Sequence, residues 1–178
     1  INFTLELFSN LPRHLKLRLV RADSGFYQDA WLSLLESQGL SYIVVAELHR
    51  KLQFLIRGET RWEVCRIEGT EVAEVLYEGA RASRARRMIL IRHRIAEKRR
   101  PGGKMLLDCP GYRFQALVTN RLPRVSPLEV WLDYNGRAGV ENVIKELVNG
   151  FGLPKLCCQS FWASEAVLSL AVMAYNLT

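Results

Sequence analysis

Residues 15–46 read LKLRLVRADSGFYQDAWLSLLESQGLSYIVVA, and the spacing of apolar residues changes twice within this stretch. Its first residues alternate leucine with lysine or arginine, which predicts a half-buried strand that delivers Asp23 to its carboxyl end. Helical spacing then runs from Phe26 to a stop at Gly39, and residues 42–46 are a short, β-branched apolar run typical of a buried strand. Strand, helix and strand in this order predict a βαβ unit with parallel strands.

The middle of the chain predicts an antiparallel β region. A short helix is expected around residues 52–56, and turn signals such as Pro-Gly separate the segments that follow it. The segments with strand character are residues 62–67, 71–77, 88–94, 104–107 and 112–119. The chain is therefore an α/β protein with a β-rich block inside it.

The C-terminal third predicts two helices. Ser126, Pro127 and Glu129 place an N-cap, a first-turn proline and a capping-box glutamate together, so a helix should begin there and run to about Val148. A second helix, residues 161–176, is apolar nearly all round. A helix of that kind is expected in a core.

Composition indicates one folded domain over residues 1–178. Hydrophobic residues make up 49% and charged residues 24%, which excludes a disordered tail or a fibrous repeat. No apolar run is long enough to span a bilayer, so no membrane partner is expected. The four cysteines form no CxxC pair, which favours reduced thiols in a cytosol over a disulfide framework or a zinc site. Because the chain opens on Ile1 without a leader pattern, we expect a piece of a longer protein.

The net charge of +7 is concentrated in one segment. Residues 81–100 hold nine lysines or arginines and one acid, whereas the remaining residues hold 16 bases and 17 acids. Clustered cations neutralise phosphates, so this basic strip, with Arg84, Arg86 and Arg87 at its centre, is a candidate DNA-contact surface. The alternative is a solvated, arginine-rich strand edge.

Two carboxylates are candidates for metal binding, and each has an ordinary structural alternative. Asp23 ends a strand of an α/β sheet, where ligands gather, but an Asp before Ser-Gly also forms an Asx turn. Helical spacing would put Tyr134, Arg137, Glu141 and Lys145 on one stripe of the first C-terminal helix. That stripe could equally be a solvated face with i, i+4 ion pairs.

Other side chains are less well supported as catalytic or DNA-binding residues. Trp62 or Trp131 could stack on a flipped base, although ordinary packing is the preferred interpretation. The three histidines lack metal-ligand spacing, and Ser24 has no base partner, so a Ser/His hydrolase is not supported.

Several motifs together resemble bacterial insertion-sequence transposases of the DDE class. They are Arg21-Ala-Asp-Ser-Gly-Phe26, Tyr134-Asn-Gly-Arg137 with Glu141 and Ile144-Lys-Glu-Leu147, Phe151-Gly-Leu153, and Ala174-Tyr-Asn-Leu177. The spacing Tyr, two residues, Arg, three residues, Glu resembles the branch abbreviated YREK. The resemblance extends over essentially the whole chain.

The resemblance implies a partial RNase H-like core interrupted by a β-rich insertion at about residues 58–120. It also implies that three carboxylates hold two Mg²⁺ or Mn²⁺ ions, with Asp23 as the second acid and Glu141 as the third. Tyr134 and Arg137 match the positions that contact DNA phosphates near the metals. The family's reaction is metal-dependent cleavage of transposon ends, in this branch through a hairpin, followed by strand transfer into target DNA.

Two departures from the family pattern shape the functional expectation. In the family the first acid lies on a strand upstream of the βαβ unit, and we expect this chain to begin after that strand. The final Lys of the motif falls at Val148, and Lys145 could substitute for that lysine. We therefore expect a catalytic fragment that is inactive alone. Two alternatives stay open: an inactive remnant that only binds DNA, and a stand-alone RNase H-like nuclease. We also expect a homodimer in a synaptic complex, and a nucleoid-associated location in the bacterial cytoplasm.

Overall fold

The computed structural model describes residues 2–12, 14–79, 82–95, 104–105, 109, 111–136, 138–150, 152, 158 and 160–175, with side chains not described at 104, 105, 138, 140 and 141. The chain divides into two compact units, residues 1–134 and 135–178. Each unit is described by itself below. Among the described residues, no helix is long and apolar enough to cross a membrane.

Unit 1 is a mixed α/β structure. Its helices are α1 (Asn2–Asn10), α2 (Asp29–Ser37), α3 (Arg50–Gly58) and α4 (Pro127–Asn135), with one 3₁₀ turn at Ser24–Phe26. Its strands are β1 (Leu19–Ala22), β2 (Ser41–Val45), β3 (Glu63–Val64), β4 (Thr70–Tyr77), β5 (Arg86–Arg94), β6 (Lys104–Met105) and β7 (Tyr112–Thr119).

The described strands form one sheet in the order β1-β2-β7-β5-β4-β3, with β6 also paired to β7. β1 and β2 are parallel, which confirms the predicted βαβ unit, and the other pairings are antiparallel. The β-rich block therefore continues the sheet that β1 and β2 begin. This mixed α/β architecture is consistent with an RNase H-like transposase domain; the bounds of the insertion stay a prediction.

Helices cover both faces of the sheet. On one face α2 and α3 bury Leu35 and Leu52 against Val44 and Leu90. On the other face α4 buries Val130 against the sheet residues Ile43, Ile89 and Leu117. Because both faces are covered, β5 is buried over Arg86–Ile91, including its two arginines.

Most helices and strands lie where the local sequence patterns predict them, but several of their ends differ. The predicted first strand begins only at Leu19, and the predicted helix from Phe26 becomes a 3₁₀ turn followed by α2. Gly39 follows α2 with a φ of 66°, a left-handed conformation that glycine adopts without a Cβ penalty. The capping box is confirmed, since the Ser126 amide donates to Glu129 Oε2 and the Glu129 amide donates to Ser126 Oγ.

The prediction of one helix from residue 126 to Val148 is wrong. α4 ends at Asn135, a turn follows at Gly136, and α5 (Ala138–Gly150) begins afterwards. Asn-Gly is a strong turn signal, and it overrides the helical periodicity around it. Tyr134 consequently lies on α4, and Lys145 lies on α5.

Unit 2 contains α5 and α6 (Phe161–Tyr175). The Tyr175 hydroxyl donates to Glu146 Oε2 at 2.6 Å, which links the two helices. The prediction that the second helix is a core helix is wrong, because only Ala171 is buried in α6 and the Phe161 side chain is 73% exposed. Apolar composition alone does not determine whether a helix is covered.

Candidate catalytic and DNA-contact residues

Asp23 lies at the carboxyl end of β1, as the alternating pattern predicts. It is the N-cap of the 3₁₀ turn, and its Oδ1 accepts a hydrogen bond from the Gly25 amide at 3.1 Å. A Cβ at Gly25 would stand 3.2 Å from Asp23 Oδ1, so glycine there leaves room for the carboxylate. The Asx-type turn is thus present, and the residue is also exposed at the edge where parallel strands end.

Tyr134 is held near the same strand. Arg21 Nη1 donates to the carbonyl of Asp133 at 2.7 Å, and Arg21 precedes Asp23 by two positions on the same face of β1. This bond anchors the last turn of α4 to β1. Tyr134 itself is half-buried and packs against the α4 side of the core. The role of Arg21 was not foreseen from the sequence, since a basic residue in a short strand carries no specific signal.

The remaining motif residues lie in unit 2 or outside the described part of the chain. Arg137 and the side chain of Glu141 are outside it. Glu141 occupies α5, and four residues later the exposed Lys145 lies on the same helix. Both residues lie on α5, and a shared face for Glu141 and Lys145 stays a prediction from their spacing.

The described residues do not by themselves form a metal site. No group of three or more His, Cys, Asp or Glu side chains among them could hold a metal ion. Asp23 fits as a single ligand, because an exposed carboxylate is the hard oxygen donor that Mg²⁺ prefers. The Asp23 carboxylate is therefore a suitable Mg²⁺ ligand, and Glu141 is the second candidate ligand.

Arg86 is engaged inside unit 1 by a polar stripe on α2. It is 7% exposed, and its guanidinium donates to Asp29, to Glu36 and to Ser33 Oγ. Hydrogen bonds from Arg86 hold the pKa of Asp29 below its usual range. At Glu36, burial alone would raise the pKa, but hydrogen bonds from Arg86, Arg84 and Tyr42 outweigh it and the pKa is lowered.

The sequence contained a signal for this network that was missed. Asp29, Ser33 and Glu36 are spaced i, i+4, i+7, which makes one polar stripe on a helix whose other side is apolar. A polar stripe on a helix that covers a sheet needs a polar partner on that sheet. Arg86 supplies that partner.

Arg87 is likewise 7% exposed and points to the other face of the sheet. Its Nη2 donates to Glu74 Oε2 at 2.7 Å and to the carbonyl of Val125 at 2.8 Å. Its Nη1 donates to the carbonyls of Arg121 and Leu122. Of the three arginines at the centre of the basic strip, only Arg84 keeps a largely exposed side chain, at 57%. The geometry thus gives Arg86 and Arg87 internal partners, and DNA contact by the strip stays a prediction.

The basic strip is also divided between opposite ends of β5. β5 runs parallel to β1 because β2–β7 and β7–β5 are both antiparallel. Arg94 therefore lies at the end of β5 toward which β1 also runs, and Arg86 lies at the opposite end. The register places Ala22, the residue before Asp23, level with Met88, so Asp23 lies between the levels of the two arginines. Eight residue steps of extended strand separate them by about 26 Å.

The aromatic residues pack, as preferred from the sequence. Trp131 is 9% exposed in the core beneath α4, with its ring 5.2 Å from that of His93. Trp62 is half-buried, and the Arg92 guanidinium lies 4.4 Å from its ring centroid. Arg92 also lies over the ring of Tyr112 and pairs with Glu71, so this cation is enclosed by its neighbours.

Comparison with known proteins agrees with this architecture. Residues 1–177 match the family model described as Transposase DDE domain. No curated protein matches the chain. The family's enzymes carry out polynucleotidyl transfer on DNA and generally use divalent metals such as Mg²⁺. Since the match extends over nearly every residue, the chain belongs to the transposase DDE domain family and is a DDE-class transposase of the insertion-sequence type.

Proposed function

We propose that this chain supplies the second and third acids of a YREK-type transposase that cuts transposon ends and joins them to target DNA. The observation that carries the proposal is the position of Asp23. It is an exposed carboxylate at the carboxyl end of β1, beside the parallel strand β2, with one oxygen oriented by the Gly25 amide. Glu141 on α5 is its proposed partner.

Each motif residue has a distinct task in this proposal. Asp23 and Glu141 would hold Mg²⁺ or Mn²⁺, which when bound activates the attacking oxygen and stabilises the leaving oxygen at phosphorus. Arg137 would clamp a phosphate through two hydrogen bonds, and Tyr134, anchored through α4 to β1, would orient the same backbone. Lys145 would supply the cation that the motif places at Val148.

The wider assembly and its activity belong to the same proposal. Joining two transposon ends requires that both are held at once, which favours a homodimer in a synaptic complex. Because the resemblance assigns two of the family's three acids to residues of this chain, we expect the 178-residue protein to bind metal and DNA without cutting the DNA.

Metal binding tests the assignment directly. Titration of the protein with Mn²⁺, followed by the loss of the free-ion electron paramagnetic resonance signal, should show weaker binding for Asp23→Asn and Glu141→Gln. Loss of one hard ligand worth several kcal/mol is expected to weaken binding by at least about 100-fold. Glu47→Gln is the matched control, because Glu47 is an exposed carboxylate just beyond β2 at the same edge. Equal losses in Asp23→Asn and Glu47→Gln would sink the assignment.

DNA products formed once a segment that carries the family's first acid is supplied separate the alternatives. Joined products that contain both transposon and target strands identify a transposase, whereas hydrolysed strands alone identify an RNase H-like nuclease. DNA binding with no Mn²⁺ binding identifies a remnant that only binds DNA.

A further inference from the structure

Asp133, in the last turn of α4, is held by two arginines from different parts of the sheet. Its main-chain carbonyl accepts a hydrogen bond from Arg21 Nη1 at 2.7 Å, and its carboxylate forms an ion pair with Arg121. Arg21 lies in β1 and Arg121 follows β7, so the two arginines extend from strands on either side of β2. Two attachments to strands about 10 Å apart fix the direction of the last turn as well as its distance from the sheet.

The Arg21 contact satisfies the carboxyl end of α4. The last four carbonyls of a helix have no partner within the helix, and the carbonyl of Asp133 is one of the last four in α4. The same end carries partial negative charge, which attracts a cation. The Arg21 guanidinium supplies both the donor and the charge, so it stabilises the last turn where it stands beside β1.

The Arg121 contact is supported by a buried residue. Arg87 is 7% exposed, and its Nη1 donates to the carbonyls of Arg121 and Leu122. The backbone from which the Arg121 side chain extends is therefore attached to β5. An ion pair whose geometry is fixed within a network holds its partners better than an isolated pair at the surface.

Both contacts act beside residues of the proposed site. Tyr134 directly follows Asp133, and its half-buried ring packs against the core beneath α4. Asp23 lies two positions after Arg21, directly beyond the end of β1. The connection from Asp23 to Tyr134 therefore consists of two residue steps along the backbone, the Arg21 side chain, one hydrogen bond and one peptide unit.

We infer that Arg21 and Arg121 are positioning residues for the transposase reaction. By holding Asp133 from two sides, they set the position of Tyr134 relative to Asp23, so that a phosphate oriented by the tyrosine lies beside the carboxylate. A displacement of about 1 Å at such a site can lower a reaction rate by about 100-fold. The inference deepens the proposed function and rests on it, because it requires that Tyr134 contacts the DNA backbone.

A double-mutant cycle in DNA binding tests the inference. The full 178-residue protein is titrated into a fluorescent 30-base-pair duplex, and the anisotropy gives binding constants for Arg21→Met, Tyr134→Phe and the double variant. Each single change should weaken binding by about fivefold, and the double variant should bind no more weakly than Arg21→Met, because the displaced tyrosine has already lost its contact. Two independent residues would instead give a combined loss of about 25-fold.

Three further measurements separate positioning from a direct DNA contact and from stabilisation alone. The slope of log K against log salt should be unchanged in Arg21→Met, whereas loss of a phosphate contact would make it shallower by about one. Arg21→Lys should restore most of the affinity and the coupling to Tyr134, because its ammonium group can still donate to the Asp133 carbonyl. Thermal unfolding shows whether each variant is folded; a purely stabilising role would move the midpoint and leave the binding constant of the folded protein unchanged.

Arg18→Met is the matched control. Arg18 is an exposed arginine directly before β1, so this variant removes the same charge three positions earlier in the chain. Any loss of affinity in Arg18→Met should multiply with that of Tyr134→Phe. Arg121→Met should instead share its loss with Tyr134→Phe, and it provides the same cycle if Arg21→Met does not fold.

The outcomes separate the inference from the proposed function. Losses in Arg21→Met and Tyr134→Phe that multiply, a shallower salt slope in Arg21→Met, or equal coupling in the Arg18→Met control would overturn the inference and leave the roles of Asp23 and Tyr134. Wild-type binding in Tyr134→Phe would overturn both the inference and the proposed role of that tyrosine. Mn²⁺ binding tests the Asp23 and Glu141 assignment independently of either result.

Discussion

The two ends of β5 carry the same residue type and differ in what surrounds it. Arg86, at the first end, is 7% exposed and donates to two carboxylates on α2. Arg94, at the second end, is exposed, and a hydrogen bond with Tyr112 raises the pKa of Arg94. Arginine content alone therefore does not identify a contact surface; burial and the charge of the partner decide the role.

The largest difference between the two ends should appear in folding stability. Arg86→Ala leaves Asp29 and Glu36 near the α2–β5 contact without their cation, which is expected to lower the free energy of unfolding by about 3–5 kcal/mol. Arg84→Ala should cost at most about 1 kcal/mol, because its side chain is mostly exposed. Urea unfolding of both variants checks this pair of values. Similar losses would remove the distinction between buried and exposed arginines.

Low pH should weaken the stabilisation that the Arg86 ion pairs provide. The pKa values of Asp29 and Glu36 are lowered in the folded protein, so their stabilisation is present above their ordinary pKa near 4 and is lost as pH falls through the lowered values. Urea midpoints between pH 7 and about pH 3 should therefore fall more steeply in the wild type than in Arg86→Ala. Parallel curves would show that the network does not carry this pH dependence.

The second end of β5 should respond at a higher pH through His93. Burial lowers the pKa of His93, whose Nδ1 lies 3.0 Å from Thr70 Oγ1. The unfolded chain therefore takes up the proton first, and stability should fall as pH drops below about 6.5 until the folded pKa is reached. His93→Gln should flatten the unfolding free energy between pH 7 and pH 5.5. A slope that persists in this variant would assign the effect to another group.

The smallest effect is expected at Arg94. Arg94→Ala should leave the unfolding midpoint at the wild-type value, because the side chain is exposed. Thermal unfolding monitored by circular dichroism provides the comparison with Arg86→Ala. A loss of stability that approaches that of Arg86→Ala would make the two ends of β5 equivalent and would contradict the comparison.

Local features of the chain were predictable because they depend on neighbouring residues. The βαβ unit, the placement of Asp23 at a strand end, and the Ser126–Glu129 capping box follow from spacings of a few positions. The break at Asn135–Gly136 was also a local signal, but the regular spacing from Tyr134 to Lys145 concealed it. Part of the proposed site, Arg137 and the Glu141 side chain, lies outside the described residues and stays a prediction.

The sequence by itself determined the family and the α/β class, and it predicts which residues hold metal or phosphate. Only the tertiary structure decided which of those charges are available. Arg86 meets acids about 50 positions earlier in the chain, and Arg87 meets carbonyls more than 30 positions later. Such partners arise from the order and direction of the strands in the sheet. Because a charge taken from water must be paired, that order determined which arginines stabilise the fold and which remain exposed.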